Sequence, residues 1–323
     1  MSMLTSRPAG EQKPVAAPAG RDKRRYRRRH DISLYLMAVP GIAFFVLFAY
    51  IPMAGIVVAF KNFNPVQGII HSPWDGLQNF DFLFSSGELQ HVLWNTVFLN
   101  FLFITATTVC AMAFAILFNE IHIRVFKRVA QSVILLPYFM SWMVVSLMLQ
   151  ELFSGVAGEG SLVNGLFGVS LQWYQDPTPW PWILTAVKVW QGAGYLSIIY
   201  LAAITGISDD VYEAAMIDGA SRARMAWRIT LPLLMPTTFI LLILSIGRIF
   251  YGDFGMIYGI VGDNGSLFPT TDVIDTFVFR ALRDSGDFGG AAAAGLFQSV
   301  CGFLLVVAAN WIARRRAPES AIF

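Results

Sequence analysis

The chain has 323 residues, 56% of them hydrophobic and only 14% charged, with a formal net charge of +2. Soluble domains carry roughly 25% charged residues, and here the apolar residues gather into long unbroken runs, which excludes an ordinary water-soluble globule and makes lipid the expected solvent. The small net charge gives no reason to expect a nucleic-acid partner.

Residues 1–20, rich in Ala, Pro and Gly and without an apolar stretch, read as a disordered cytoplasmic tail and not as a signal peptide. Residues 21–32 open with RDKRRYRRRH and read as a basic cytoplasmic anchor placed directly before the first apolar run. A transmembrane domain is expected over 33–316, all-α, with six spans at about 33–60, 91–118, 129–153, 181–205, 233–259 and 290–313. Each approaches or exceeds the roughly 20 residues a helix needs to cross the hydrocarbon. Pro40 and Pro52 remove backbone donors from the first span, so a kink or break is expected near Pro52. Residues 317–323 form a short C-terminal tail. Cys110 and Cys301 each stand alone in an apolar run, without CxxC spacing, and read as packing residues.

The connections set the orientation, because cytoplasmic loops collect Lys and Arg. Of the 23 Lys and Arg residues, 18 lie at the termini and in the second and fourth connections. The alternate connections hold Lys61, Arg280 and Arg283 alone, while Lys188 and Arg248 fall inside expected spans. Both termini are therefore expected in the cytoplasm. The exported connections are rich in Gly, Pro and Asn, and the Trp-rich stretch 173–182 suits an interface between membrane and water.

The fourth connection, SDDVYEAAMIDGASRARMAWRITLPLLMP, is too long for a simple turn. VYEAAMIDG reads as a short amphipathic helix, Gly219 permits a sharp change of direction, and helix resumes in ASRARMAWRIT before Pro232. Glu213, Ala214 and Ala215, then Gly219 after three residues, then Ile229, Leu231 and Pro232 after nine more, complete a pattern of seven fixed positions. In this the segment resembles the EAA loop of binding-protein-dependent ABC importer permeases. The stretches DGASRARMAWRITLPLLMP, YLMAVPGIAFFVLFAYIPM and AAGLFQSVCGFLLVVAANWIARR further resemble the oligosaccharide and polysaccharide group of sugar permeases, relatives of the maltose permeases that include alginate-oligosaccharide importers. The resemblance spans about residues 30–316.

It implies a type I importer permease fold in the cell inner membrane, with residues 208–232 acting as a coupling loop that docks on an ATPase subunit. It also implies a second homologous permease subunit, two copies of an ABC ATPase, an extracytoplasmic solute-binding protein and a saccharide substrate. The chain has no GxxxxGK[ST] phosphate loop, so ATP with its Mg is expected in the partner ATPases and no cofactor or metal on this chain.

Charged groups inside spans usually face a cavity or a partner, which selects Lys188, Arg248 and Asp253 as pathway candidates. Arg248 and Asp253, five residues apart, form either a structural pair or part of the pathway, and Lys188 lies beside Trp190, Gln191 and Tyr195, a set able to stack on and hydrogen-bond a sugar. Two such cations would favour an acidic saccharide. Two other readings share much of this pattern: a permease of the same architecture for a non-sugar solute, and a membrane-embedded enzyme of polysaccharide metabolism. The second is disfavoured because the four His residues are scattered and the sequence holds no HExxH or GxSxG motif, so no catalytic residue is assigned.

Overall fold

The computed structural model describes residues 35–85, 87–154 and 161–316. Both expected tails lie outside the described residues. Most of the described residues are helical, and among them the extended pairing is a single bridge between Lys61 and Trp74.

The first span is helix α1, Tyr35–Phe60. Pro52 lacks an amide proton and crowds the carbonyl one turn back, and the helix widens to a π-turn over Val46–Tyr50 before tightening to 3₁₀ geometry over Ala54–Phe60. The irregularity expected near Pro52 is thus distributed around it. Nearly every side chain between Tyr35 and Met53 is exposed, including the large apolar ones.

From Ile56 onward the chain forms one compact unit. A short helix α2, Gln78–Ser85, precedes α3, Glu88–Glu120, which starts after Gly87 in the left-handed conformation and ends where Ile121 turns extended. Helix α4, Arg124–Phe139, and α5, Trp142–Ser154, meet at 95°. Pro137 opens a last 3₁₀ turn in α4, and the chain is extended at Met140 before Ser141 caps α5 by accepting from the Val144 amide. The third expected span is therefore a broken one.

Helix α6, Trp180–Thr205, is the axis of the unit. Its most extensive partner is α3, with Ala111 and Ala115 of α3 and Ala193 of α6 fully buried where the two come together. At Gly194 the main chain of Ile134 in α4 lies so close that a Cβ has no room. Helix α7, Asp209–Ile217, stands outside the bundle and α8, Arg222–Ile246, re-enters it.

Here the structure corrects the expected fifth span of 233–259. Helix stops at Ile246, residues 247–253 are non-helical, and a separate helix α9, Phe254–Val261, follows. The apolar run continues through the break, which is why hydropathy reads it as one span, but Gly247 packs too tightly against Val306 to carry a side chain and Asp253 caps α9 by accepting from the Met256 amide at 3.2 Å. Helix α10, Ile274–Arg280, leads to the last span α11, Phe288–Arg316. Its anchor is Arg280, whose guanidinium donates two hydrogen bonds to Asp272, at 2.8 and 2.5 Å, and lies over the Phe268 ring.

Five described helices are long and apolar enough to cross a membrane, six if the bent α4–α5 pair counts as one span. Their core falls into three clusters, all of which include α3: Leu99 and Phe103 with α5, α6 and α9; Ala111 to Phe118 with α6 and α8; Leu89 and Val92 with α10 and α11.

Candidate functional site

Both helix breaks are fastened to one face of α6. Lys188 donates to Asp253 at 2.6 Å, which ties the end of the α8–α9 break to α6, and its ammonium also sits over the Trp142 ring at the start of α5. One turn further on, Gln191 donates to the Met140 carbonyl inside the α4–α5 break at 3.3 Å. Side chains three apart share a helix face, so two interrupted spans converge on two neighbouring residues. Trp180 opens α6, which puts Lys188 about 12 Å along the axis from that end.

The α8–α9 break needs partners for its main chain, since carbonyls freed from a helix ladder cannot stay bare at membrane depth. Asn100 of α3 donates to Ile249 O and Tyr251 O at 3.0 and 3.1 Å, and Gln298 of α11 donates to Phe250 O at 2.7 Å. The Asp275 carboxylate of α10 accepts from the Gly252 amide and from Gln298. Four helices thus hold one seven-residue interruption in shape.

Of the residues expected in the pathway, the structure brings Lys188, Gln191 and Asp253 together. The alternative of a local Arg248–Asp253 pair is not formed: Asp253 bonds Lys188, whereas Arg248 is exposed and its guanidinium has no hydrogen bond or ion pair among the described residues. Tyr195 stacks on Tyr138, centroids 4.3 Å apart and rings 8° from parallel, with both half exposed, and Trp190 is also exposed. Sequence reasoning missed Tyr138 and Trp142; Pro137, a helix breaker inside an apolar run, was the available signal. The tryptophans of 173–182 divide: Trp180 is fully buried and donates to Trp173 O, while Trp182 is exposed.

The second assembly is α7 and its surroundings. Ser208 caps α7 by accepting from the Asp210 amide, and Asp209 and Asp210 occupy its positive end. Gly219 adopts φ +74°, Ala220 N–H donates to Ala215 O at 2.9 Å and Gly219 N–H to Met216 O at 3.1 Å. These are the paired bonds of a Schellman ending, which needs a left-handed residue at position 219. Ser221 caps α8, whose first turns widen into a π-turn at Ala226–Thr230 just before Pro232. Tyr212 hydroxyl bonds Thr230 hydroxyl at 3.0 Å, and Arg222 reaches Glu120 at the end of α3 at 3.2 Å. Glu213 and Ala214 are exposed, Ala215, Ile229 and Leu231 half-buried, and Pro232 exposed. The outward surface of α7 presents apolar side chains beside the exposed Asp209, Asp210 and Glu213, and no described residue covers them: Val211 is 42% exposed, Met216 56% and Ile217 86%.

At the opposite end of α9, Arg283 bonds Asp263 at 2.9 Å, and this hydrogen bond holds the Asp263 carboxyl below its ordinary range. Burial pushes the nearby Tyr174 phenol up to about 12. Among the described residues no cluster of three or more His, Cys, Asp or Glu side chains is arranged to hold a metal ion.

A bundle of long apolar helices with two spans interrupted inside it, and a capped helix presented outside it, is the architecture of a polytopic membrane protein. Residues 108–318 match the family described as the binding-protein-dependent transport system inner membrane component, and the chain belongs to that family. It is 36% identical over 295 residues to the polygalacturonan/rhamnogalacturonan transport system permease protein YteP of Bacillus subtilis (strain 168), covering 88% of this chain and 89% of that one. Among solved structures it resembles a chain of a bacterial ABC transporter involved in the import of the acidic polysaccharide alginate, with TM-score 0.81, 30% identity and coverage of 91% and 99%. It also resembles a chain of a bacterial alginate ABC transporter in complex with an alginate pentasaccharide-bound periplasmic protein, with TM-score 0.79, 30% identity and coverage of 89% and 96%.

Proposed function

We propose that this chain is one of two homologous membrane subunits of an ATP-driven importer that carries a saccharide, delivered by an extracytoplasmic binding protein, across the cell inner membrane. The observation that carries the reading is α7: a short helix, fixed at both ends by caps, with Met216 and Ile217 exposed and uncovered among the described residues. An apolar surface on a polar-flanked helix calls for a groove on another protein. Two ATPase subunits, binding ATP with Mg, supply that groove and the energy. Glu213 is the polar contact, Ala214 and Ala215 allow close approach, and Gly219 with Ile229, Leu231 and Pro232 fixes the loop's geometry. The Tyr212–Thr230 and Arg222–Glu120 contacts then pass movement of α7 into α8 and α3.

The saccharide assignment is supported by the relatives named above and by the exposed aromatic side chains of α4 and α6 next to the α4–α5 break, Tyr138 stacked on Tyr195 and Trp190 beside Gln191. The Lys and Arg distribution supports cytoplasmic termini, with α7 on the cytoplasmic side. The test is co-purification in detergent with ABC ATPase and second permease subunits co-expressed from the source genome, wild type against Gly219→Pro. Association of the wild type, ATPase activity stimulated by one sugar-loaded binding protein and loss of both in the variant are expected; absence of any ATPase from the wild-type preparation would sink the reading.

A further inference from the structure

Two cations lie in the region of the helix breaks, and they are not equivalent. Lys188 is compensated: its ammonium lies 2.6 Å from the Asp253 carboxylate and over the face of Trp142, a role that consists of strapping the α8–α9 break and α5 to α6. Arg248 is on the same seven-residue break, five positions before Asp253, and its guanidinium is exposed and uncompensated among the described residues. A bare arginine facing hydrocarbon is expensive, so a guanidinium at this depth faces a watery path or a partner group. The segment that carries it is held by Asn100, Gln298 and Asp275, so the residue is presented from fixed main chain and not from a mobile loop.

We infer that Arg248 reads the substrate's carboxylate, which makes the saccharide a uronate-containing one, while Lys188 takes no part in that recognition. The inference rests on the saccharide reading above and refines it. A planar guanidinium matches a carboxylate with two parallel hydrogen bonds. Lys188 is neutralised by Asp253, and the Asp275 carboxylate is turned to the Gly252 amide and Gln298, so Arg248 is the cation of the break whose side chain meets no carboxylate among the described residues. A neutral saccharide would leave that charge without a counterion.

The test uses the complete transporter in proteoliposomes with its binding protein, and trimers of galacturonate and of mannuronate, each as free acid and as methyl ester. Arg248→Gln is expected to lower uptake of a free acid by roughly tenfold to a hundredfold, the worth of hydrogen bonds to a charged group, and uptake of the ester far less. Arg248→Lys restores part of the acid uptake. The double substitution Lys188→Met with Asp253→Leu lowers acid and ester alike, because it removes a strap. An Arg248→Gln variant that assembles normally and loses acid and ester equally, or neither, overturns the inference. So does a wild type that moves only esters or none of the probes. In that last case ATPase stimulation by a neutral-sugar-loaded binding protein would keep the importer reading standing, and no stimulation by any loaded saccharide would remove it too.

Discussion

At position 219 the backbone itself demands glycine. A φ of +74° costs any residue with a Cβ about 1–2 kcal/mol, and the two Schellman bonds at Ala215 and Met216 depend on it. Gly219→Ala is therefore expected to weaken ATPase coupling while leaving the spans folded, seen as a lower ratio of transport to ATP hydrolysis with unchanged melting of the solubilised complex. The Lys188–Asp253 pair makes a different prediction. Its side chains are 29% and 27% exposed, so removing one partner leaves a charge that water only partly rescues. Either Lys188→Met or Asp253→Leu alone should destabilise by about 2 kcal/mol, below the 3–5 of a fully buried pair, and the double substitution by less than the sum. Additive losses in a thermal melt of the four proteins would show that the pair is not coupled.

Among the elements, α3, α6 and α11 were readable from apolar length alone, because a continuous run of more than 20 such residues has few other folds available. The α7–α8 loop was readable because its determinants are local: Ser208, Gly219, Ser221 and Pro232 each act within a few residues of themselves. The breaks were not. Leu233 to Val261 has one hydropathy profile, and what interrupts it is supplied by Asn100, Asp275 and Gln298, 23 to 151 positions away. The α4–α5 bend carried a local hint in Pro137, yet its tether, Gln191, is equally remote. Site residues followed the same division, with Lys188 and Asp253 visible as charges in spans and their mutual pairing invisible. Helix contact at Gly194 also belongs to this scale: Gly194→Leu has no space against Ile134, and α4 must move away from α6. The expected outcome is a complex that assembles poorly, read as a broadened size-exclusion peak, while Gly165→Leu, on an open surface, leaves the profile unchanged.

Taken whole, the molecule is asymmetric in its cations, which the membrane converts into an orientation. In a background with Cys110 and Cys301 replaced, Ile217→Cys should react with an impermeant maleimide only after the membrane is opened, and Val66→Cys on intact spheroplasts; both positions are highly exposed. The reverse pattern would invert the topology and remove the ATPase from reach of α7. One further consequence follows from the way the α8–α9 interruption is held. Its shape is stored in other helices, so it behaves as an evolutionary ratchet. A lineage that straightened residues 247–253 into regular helix would take from Asn100, Asp275 and Gln298 the main-chain partners they hold there. Reversal demands several simultaneous changes, whereas exchanging Arg248 demands one. Diversification among descendants is thus channelled toward what the interruption presents and away from whether it exists.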